Sequence, residues 1–255
     1  MHAFLHSDLQ MSANGLIDRR LDMRYSLTSD ARWLLVELRN QPDVHILAAT
    51  VAKKRAVGVA AAREAIYSLF GQLGSFGALT IHLGRGWRTS ERLRLWFVWR
   101  VRRPATTAGF LWAAVNAYWP LLVLMGVLLA ERAVVRHAVP AALWLLPMVL
   151  LLSCIVHELG HCLVARFIRV RFVLLAGLGY MSVMCKEPPA YAARSIAAGG
   201  PALAVVVCAG LAAMPLFPGS HIVLLGLGLA HGLSLLPFFA DGKTIWRIYE
   251  KVTHE

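Results

Sequence analysis

Three stretches of this 255-residue chain contain no Asp, Glu, Lys or Arg, and their length limits the folds available to it. They cover residues 109–130, 138–156 and 195–240. Because a helix needs about 20 apolar residues to cross the hydrocarbon core of a bilayer, the first two runs fit one span each. The third run fits two spans, separated by the turn-like sequence Pro-Leu-Phe-Pro-Gly-Ser at 215–220. We therefore predict a polytopic α-helical membrane protein with four spans, at about 109–131, 138–165, 195–216 and 220–240.

The net charge of +12 is distributed unevenly along the chain. Arginine and lysine are frequent at 85–103, 166–194 and 243–251, sparse between the first two predicted spans and absent between the last two. Since Lys and Arg concentrate on the cytoplasmic side of membranes, this pattern predicts a multi-pass cell-membrane protein with both termini in the cytoplasm. Nucleic-acid binding, the other common explanation of basic charge, is not predicted because these residues border the spans. Residues 1–30 lack the apolar segment of a signal peptide.

The first part of the chain has the patterns of a small soluble unit. The stretch 15–27 predicts a strand or a hairpin, and Thr28 has the short polar side chain typical of a helix start. Apolar spacing predicts the remaining elements: helices over 31–39, 44–54 and 59–73, then a strand over 78–82. This order is typical of a winged-helix pattern.

By composition the chain divides into four segments. Residues 1–84 are predicted to form a cytoplasmic winged-helix-like α+β domain, and 85–108 form a basic, tryptophan-rich stretch. Indole rings and arginine both favour the headgroup zone of a bilayer, which predicts an interfacial linker there. Residues 109–245 form the predicted membrane domain, and 246–255 form a short cytoplasmic tail.

The second predicted span contains the sequence His157-Glu158-Leu-Gly-His161. Ionisable groups inside a span are energetically costly and usually functional. Residues four apart share one face of a helix, so the two histidines project together. Two imidazole nitrogens on one face suit a zinc ion, with Glu158 beside them as a general base. We therefore predict one Zn²⁺ per chain and a catalytic Glu158.

A zinc hydrolase needs a third protein ligand in addition to these histidines. Asp241 ends the fourth predicted span at a depth comparable with the histidines. His231 lies ten residues earlier, which places it about 15 Å away along the helix axis. Depth therefore favours Asp241, and only one of the two is expected to bind. Cys154 shares the face of His157 and could approach the metal, while we expect the cysteines to be packing residues. The full set of candidates comprises Cys185, Glu187, Cys208, His221, His231 and Asp241.

Three motifs resemble those of the site-2 protease family of intramembrane zinc metallopeptidases. They are HELGHCLVAR, the Ala-Ala-Gly-Gly-Pro of 197–201 and the Leu-Pro-x-x-x-Asp-Gly of 236–242. The resemblance covers roughly residues 138–245. It implies that His157, His161 and Asp241 bind zinc and that Glu158 activates water.

The same resemblance implies that Gly200, Pro201 and Ser234 contact the substrate. The chain departs from the family at three places. Ala204 and Ser234 occupy positions where the family usually has asparagine, and Lys243 follows Asp-Gly where a second glycine is common. These departures leave the implied zinc ligands untouched.

Residues 172–185 are apolar but too short to span a bilayer as a helix. The resemblance to site-2 proteases suggests a membrane-embedded hairpin here, to which an extended substrate could add as another strand. A plain loop on the cytoplasmic face is the alternative.

The N-terminal unit resembles PqqD-like peptide-recognition domains. The likeness depends on the Tyr-Ser-Leu-Thr-Ser-Asp-Ala-Arg-Trp-Leu-Leu of 25–35, the Ala-Arg-Glu-Ala-Ile-Tyr-Ser-Leu-Phe of 62–70 and the Gly-Ala-Leu of 77–79. It implies that this unit binds the leader of a ribosomally made, modified peptide.

Two functions from different classes follow from these patterns. The first is a membrane zinc metalloendopeptidase that cleaves near the cytoplasmic face, in processing or export of a ribosomally made peptide or on a membrane-protein substrate. The second is a non-catalytic, metal-containing membrane module that presents a peptide to partner enzymes or a transporter. A retained Glu158 favours the first, since a structural site needs no base. A diiron oxidase is excluded because only one helix carries paired histidines.

Overall fold

The computed structural model describes residues 2–13, 15–75, 77–82, 100–135, 141–186, 188–214 and 220–252. These fall into two compact units: Met1–Asn116 with Val173–Tyr180, and Ala117–Phe172 with Met181–Glu255. Most of the predicted interfacial linker and most of the predicted turn at 215–220 lie outside the described residues, and both stay predictions.

The first unit begins with two small antiparallel sheets. One has the order β2-β3-β4, and the other pairs β1 with β5. The strands are β1 (His2–Leu5), β2 (Leu9–Ser12), β3 (Gly15–Asp18), β4 (Met23–Ser26) and β5 (Leu79–His82). Gly15 stands directly opposite Ser26, and an added Cβ there would lie 1.9 Å from the Tyr25 carbonyl oxygen. The predicted hairpin at 15–27 and the closing strand are confirmed, whereas β1 and β2 were not predicted.

Three helices pack on these strands: α1 (Ser29–Asn40), α2 (Val44–Arg55) and α3 (Val59–Ser75). The Thr28 side chain accepts a hydrogen bond of 3.2 Å from the Ala31 N–H, as predicted for a helix start. Asp43 caps α2 in the same way, accepting from the His45 N–H at 2.8 Å. The core between helices and strands is apolar and includes Leu16, Leu35, Leu47, Ile66, Phe70 and Leu79. The three predicted helices are therefore confirmed.

Strands also form where the sequence predicted a short apolar hairpin or loop. The residues 172–185 contain β7 (Phe172–Gly177) and β8 (Tyr180–Cys185), joined by a turn in which Gly179 has φ of +65°. A strand not predicted from the sequence, β6 (Val101–Pro104), pairs antiparallel with β7 and places Arg102 opposite Leu175. The residues at 172–185 are thus strands, and their insertion into a membrane stays a prediction.

Arg102 on β6 is a buried cation of the first unit. Its side chain is fully buried and lies 2.5 Å from the equally buried Asp18 carboxylate, with Asp8 at 3.7 Å. The other Asp18 oxygen accepts hydrogen bonds from the N–H groups of Arg20 at 3.0 Å and Leu21 at 2.9 Å. Because a buried charge is tolerated only when paired, Arg102 and Asp18 hold β6 against the end of β3.

Replacing Arg102 by Ala should destabilise this unit, because Asp18 would stay buried without its counter-charge. Loss of one partner of a buried pair costs about 3–5 kcal/mol. The matched control is Arg55→Ala, since Arg55 pairs with Asp30 on the exposed surface, where a pair contributes about 0–1 kcal/mol. Amide hydrogen exchange across β3 and α2 in the full chain measures both. Equal losses of protection in the two variants would contradict this account of Arg102.

After β6, the described part of the chain contains five further helices. They are α4 (Thr107–Val135), α5 (Ala141–Phe167), α6 (Ala190–Ala212), α7 (Ser220–Leu233) and α8 (Ala240–Val252). Three described segments are long and apolar enough to cross a membrane: Thr107–Glu131, Leu146–Phe167 and Ala190–Ala212. These match the first three predicted spans, although the third begins five residues earlier than the predicted 195, at Ala190.

The fourth predicted span, 220–240, is not one continuous helix. Its apolar helix α7 has 14 residues, a length of about 21 Å, which is shorter than the hydrocarbon core of about 30 Å. Residues 234–239 form turns, and α8 starts at Ala240. The count of four spans therefore stays a prediction, and Asp241 belongs to the first turn of α8 and does not end a span.

Candidate metal centre

Two histidines of α5 and one carboxylate of α8 converge in the second unit. The Nε2 atoms of His157 and His161 lie 3.2 Å apart. The Asp241 carboxylate approaches both, with one oxygen 3.2 Å from His157 Nε2 and the other 3.5 Å from His161 Nε2. The structure thus brings together the three metal ligands that the sequence and its family resemblance suggested.

The spacing between the two Nε2 atoms and the Asp241 carboxylate oxygens suits a small divalent cation. Zinc bonds to nitrogen and oxygen of about 2.0–2.2 Å place neighbouring corners of a tetrahedron roughly 3.3–3.5 Å apart. The two Nε2 atoms lie 3.2 Å apart, and each has an Asp241 oxygen at 3.2 or 3.5 Å, which is close to these separations. Two imidazoles and a carboxylate are also a donor set that zinc accepts. His157, His161 and Asp241 therefore form a group that could hold a metal ion.

A backbone carbonyl orients one of the two imidazoles. His161 Nδ1 lies 2.6 Å from the Ile196 carbonyl oxygen on α6. A carbonyl can only accept, so Nδ1 carries the hydrogen and Nε2 keeps its lone pair free for a metal. His157 Nδ1 is buried and has no hydrogen-bond partner among the residues that the structure describes. Among the described residues, therefore, only the His161 ring is oriented by a hydrogen bond from its Nδ1 atom to another protein group.

Three glycines allow α5 and α6 to approach closely at the site. A Cβ on Gly160 would lie 2.3 Å from the Gly199 carbonyl oxygen, and one on Gly200 would lie 2.3 Å from His161 Nε2. The Gly199-Gly200 pair thus gives the imidazole its space and brings the Ile196 carbonyl within reach of it. Pro201, the next residue, is fully buried inside α6. Gly200, which the resemblance associates with substrate, packs directly on a metal-ligand candidate.

The turn before α8 positions Asp241. The Gly242 N–H donates to the Ser234 carbonyl at 3.1 Å, and the Lys243 N–H donates to the Phe239 carbonyl at 2.8 Å. A Cβ on Gly242 would lie 1.8 Å from the Leu236 carbonyl oxygen. Only glycine fits at this point, so the Asp-Gly pair lets the turn fold back against the start of α8. This close approach fixes where the Asp241 carboxylate lies.

Glu158 lies beside the ligand group without belonging to it. Its side chain is 9% exposed, and Oε2 has no hydrogen-bond partner among the described residues. An acceptor that no protein donor occupies is available to a water or a substrate proton. Cys154, one turn earlier on α5, is half-buried and is not a member of the metal-ligand group.

The remaining candidates have different positions. The His231 ring lies 4.8 Å from the His157 ring, centroid to centroid, yet His231 is outside the ligand group. Within the described part of the chain, Cys185, Cys208 and His221 are not in that group either. Glu187 lies outside the described residues.

The two positions at which the resemblance leads one to expect asparagine, Ala204 and Ser234, offer no free amide. Ala204 is fully buried in α6, and the Ser234 hydroxyl donates to the His231 carbonyl at 2.7 Å. Two contributors were missed from the sequence: the Ile196 carbonyl and Gly160. Gly160 could have been identified from the sequence, because a glycine inside a helix and between two ligand candidates indicates close packing at that point. The sequence contains no signal for the Ile196 carbonyl, because every residue has a backbone carbonyl.

The first unit contains a separate cavity of about 420 Å³ between β1, β2 and α1. Apolar side chains including Leu9, Met11 and Leu38 line it, together with Arg19 and Arg39. The predicted leader-peptide partner of this unit stays a prediction.

Comparison with known proteins finds no matching protein-family model, no matching curated protein and no matching solved structure. The resemblance to site-2 proteases and to PqqD-like domains stays a prediction.

Proposed function

We propose that this chain is a membrane-embedded zinc metalloendopeptidase that cleaves a peptide bond near the cytoplasmic face of the cell membrane. One observation carries the proposal: two imidazoles and a carboxylate meet at 3.2–3.5 Å with the buried Glu158 beside them. His157, Glu158 and His161 lie on a helix that is apolar enough to cross a membrane, where ionisable groups are costly and usually functional.

His157, His161 and Asp241 would hold the metal. Three protein ligands leave a fourth position for water or substrate, as in catalytic zinc sites. A bound zinc ion supplies Lewis-acid polarisation of the scissile carbonyl and a more acidic water. The hydrogen bond from His161 Nδ1 to the Ile196 carbonyl keeps that imidazole in the tautomer that a ligand needs.

Glu158 would act as the general base and then as the general acid. Its carboxylate takes one proton from the water whose oxygen attacks the carbonyl carbon. It passes that proton to the amine nitrogen as the C–N bond breaks, so that one water is consumed and two peptide ends form. Burial of Glu158 keeps competing water scarce around this proton transfer.

The substrate class follows from the N-terminal unit and from the membrane helices. In the described residues β4 is the edge of the sheet β2-β3-β4, and an extended peptide can pair with such an edge. A ribosomally made peptide, held through its leader, is the substrate that this unit favours, and a membrane protein is the other. Basic residues beside the spans support cytoplasmic termini and a multi-pass location in the lipid bilayer.

A specific observation favours the second function, a non-catalytic module that presents a peptide to partner enzymes or a transporter. The family's two asparagine positions hold Ala204, which is buried, and Ser234, whose hydroxyl is committed to the His231 carbonyl. Such a module would use its metal for structure alone. The presence of Glu158 argues against the non-catalytic module, because a structural metal site does not need a buried base.

Two measurements on the full chain test the proposal. Metal analysis of the detergent-purified protein should find about one zinc per chain. New protein N-termini should appear in membranes of cells that produce the chain and should vanish when a membrane-permeable zinc chelator is added. Zinc in the protein without any new N-termini would leave the non-catalytic module as the better account. No zinc at all would overturn both.

A further inference from the structure

His231 is a second polar ring at the candidate site. Its ring lies 4.8 Å from that of His157 with an interplanar angle of 30°. It nevertheless lies outside the ligand group formed by His157, His161 and Asp241. A histidine in an apolar helix is energetically costly and is usually functional, so its position beside the candidate metal site calls for an explanation.

The backbone of His231 is held firmly in place. Two close contacts set α7 against α6: a Cβ on Gly228 would lie 3.3 Å from Cys208 Cβ, and one on Gly232 would lie 3.8 Å from Val205 Cγ2. The end of α7 is capped where both the N–H and the hydroxyl of Ser234 donate to the His231 carbonyl, at 3.1 and 2.7 Å. The ring of His231 therefore approaches His157 from a pre-organised helix end.

The ring of His231 is uncommitted and accessible. Its side chain is half-buried, and its nitrogens have no hydrogen-bond partner among the residues that the structure describes. A neutral imidazole always carries one N–H donor. Ser234 and Ala204, at the family's asparagine positions, do not present a free donor to the site. His231 is a side chain beside the ligands that can supply such a donor.

We propose that the His231 imidazole donates a hydrogen bond to the carbonyl oxygen of the scissile peptide bond while negative charge develops on that oxygen. This inference rests on the proposed peptidase function and adds a catalytic residue to it. Donors aimed at developing charge act only in the transition state, so they raise kcat more than they lower KM. His231 would thus supply a donor that Ala204 and Ser234 do not.

The first test uses metal binding and a small probe, and needs no substrate. The full chain is loaded with Co²⁺ in detergent, and acetohydroxamate, a chelating mimic of the hydrolytic transition state, is titrated against its visible spectrum. His231→Ala should keep one metal per chain and the wild-type Co²⁺ spectrum, but bind acetohydroxamate about 10-fold to 100-fold more weakly. His231→Gln, which keeps an N–H donor, should recover part of this affinity.

Two further variants serve as controls. His221→Ala removes the other histidine of α7 and should behave as wild type, whereas Asp241→Ala should lose the metal. Once a substrate is known, His231→Ala should lower kcat about 100-fold with KM changed by only a few-fold.

The outcomes separate this inference from the proposed function. Loss of metal, or an altered Co²⁺ spectrum, in both His231 variants would make His231 a fourth ligand and overturn the inference in favour of a closed structural site. Unchanged acetohydroxamate affinity in His231→Ala would overturn the inference while leaving the peptidase proposal intact. A wild-type chain that binds no metal would overturn the proposed function itself.

Discussion

Glu158→Gln is expected to reduce peptide cleavage by about 10²–10⁴-fold while the zinc content stays at about one per chain. Glutamine has the size of glutamate but cannot accept the proton of the attacking water. Glu158 lies outside the ligand group, and its Oε2 has no partner in the described structure, so the substitution removes no metal bond. Cleavage at the sites of new N-termini and metal analysis of the same preparation measure the two quantities.

The matched comparison for Glu158→Gln is Asp241→Ala, which should lose both zinc and cleavage because it removes a ligand. The pair therefore separates the base from the metal site. If Glu158→Gln cleaved at the wild-type rate with zinc retained, Glu158 would not be the base, and the proposed mechanism would have to be abandoned.

Gly200→Ala is expected to weaken zinc binding by about 5-fold to 150-fold. The new methyl group would lie 2.3 Å from His161 Nε2, closer than any packed contact permits. The ring would have to rotate away, which breaks the 2.6 Å hydrogen bond from His161 Nδ1 to the Ile196 carbonyl and moves the ligand atom. Overpacking of this kind costs about 1–3 kcal/mol, and 1.4 kcal/mol corresponds to a factor of 10 in affinity.

The control for Gly200→Ala lies on the same helix. Gly210 has open space where a Cβ would be added, so Gly210→Ala should keep full zinc affinity. Zinc affinity of the three proteins, measured by competition with a chromophoric chelator, distinguishes a local clash from a general effect of adding methyl groups to α6. Equal affinity in all three would refute the packing role assigned to Gly200.

Some features depend on residues close together in the chain, and the sequence predicted these well. His157 and His161 share a face because four residues make about one helical turn. The helix starting after Thr28 and the hairpin at 15–27 are likewise set by local capping and alternation. β1 was not predicted because its pairing partner, β5, lies at the far end of the domain, whereas β2 pairs with the neighbouring β3 and was missed although that contact is local.

The comparison of Asp241 with His231 shows what local reasoning could not settle. Depth along one continuous span favoured Asp241, but α7 ends at Leu233 and the chain turns before α8 begins at Ala240. Asp241 reaches the histidines because Gly242 packs against the Leu236 carbonyl, and not because a span continues to it. The residue that the depth argument favoured therefore does join the group that could hold a metal, but it is placed there by a turn that the argument did not contain.

Residue types and local spacing thus determine that this chain has membrane-compatible helices, a paired-histidine face and a glutamate beside it. Helix packing decides the rest: which carboxylate completes the group, why Gly200 must lack a side chain, and which carbonyl orients His161. The reason is physical. Periodicity follows from backbone geometry within a few residues, whereas a ligand set depends on the distances between helices, and those depend on close contacts at glycines far apart in the chain.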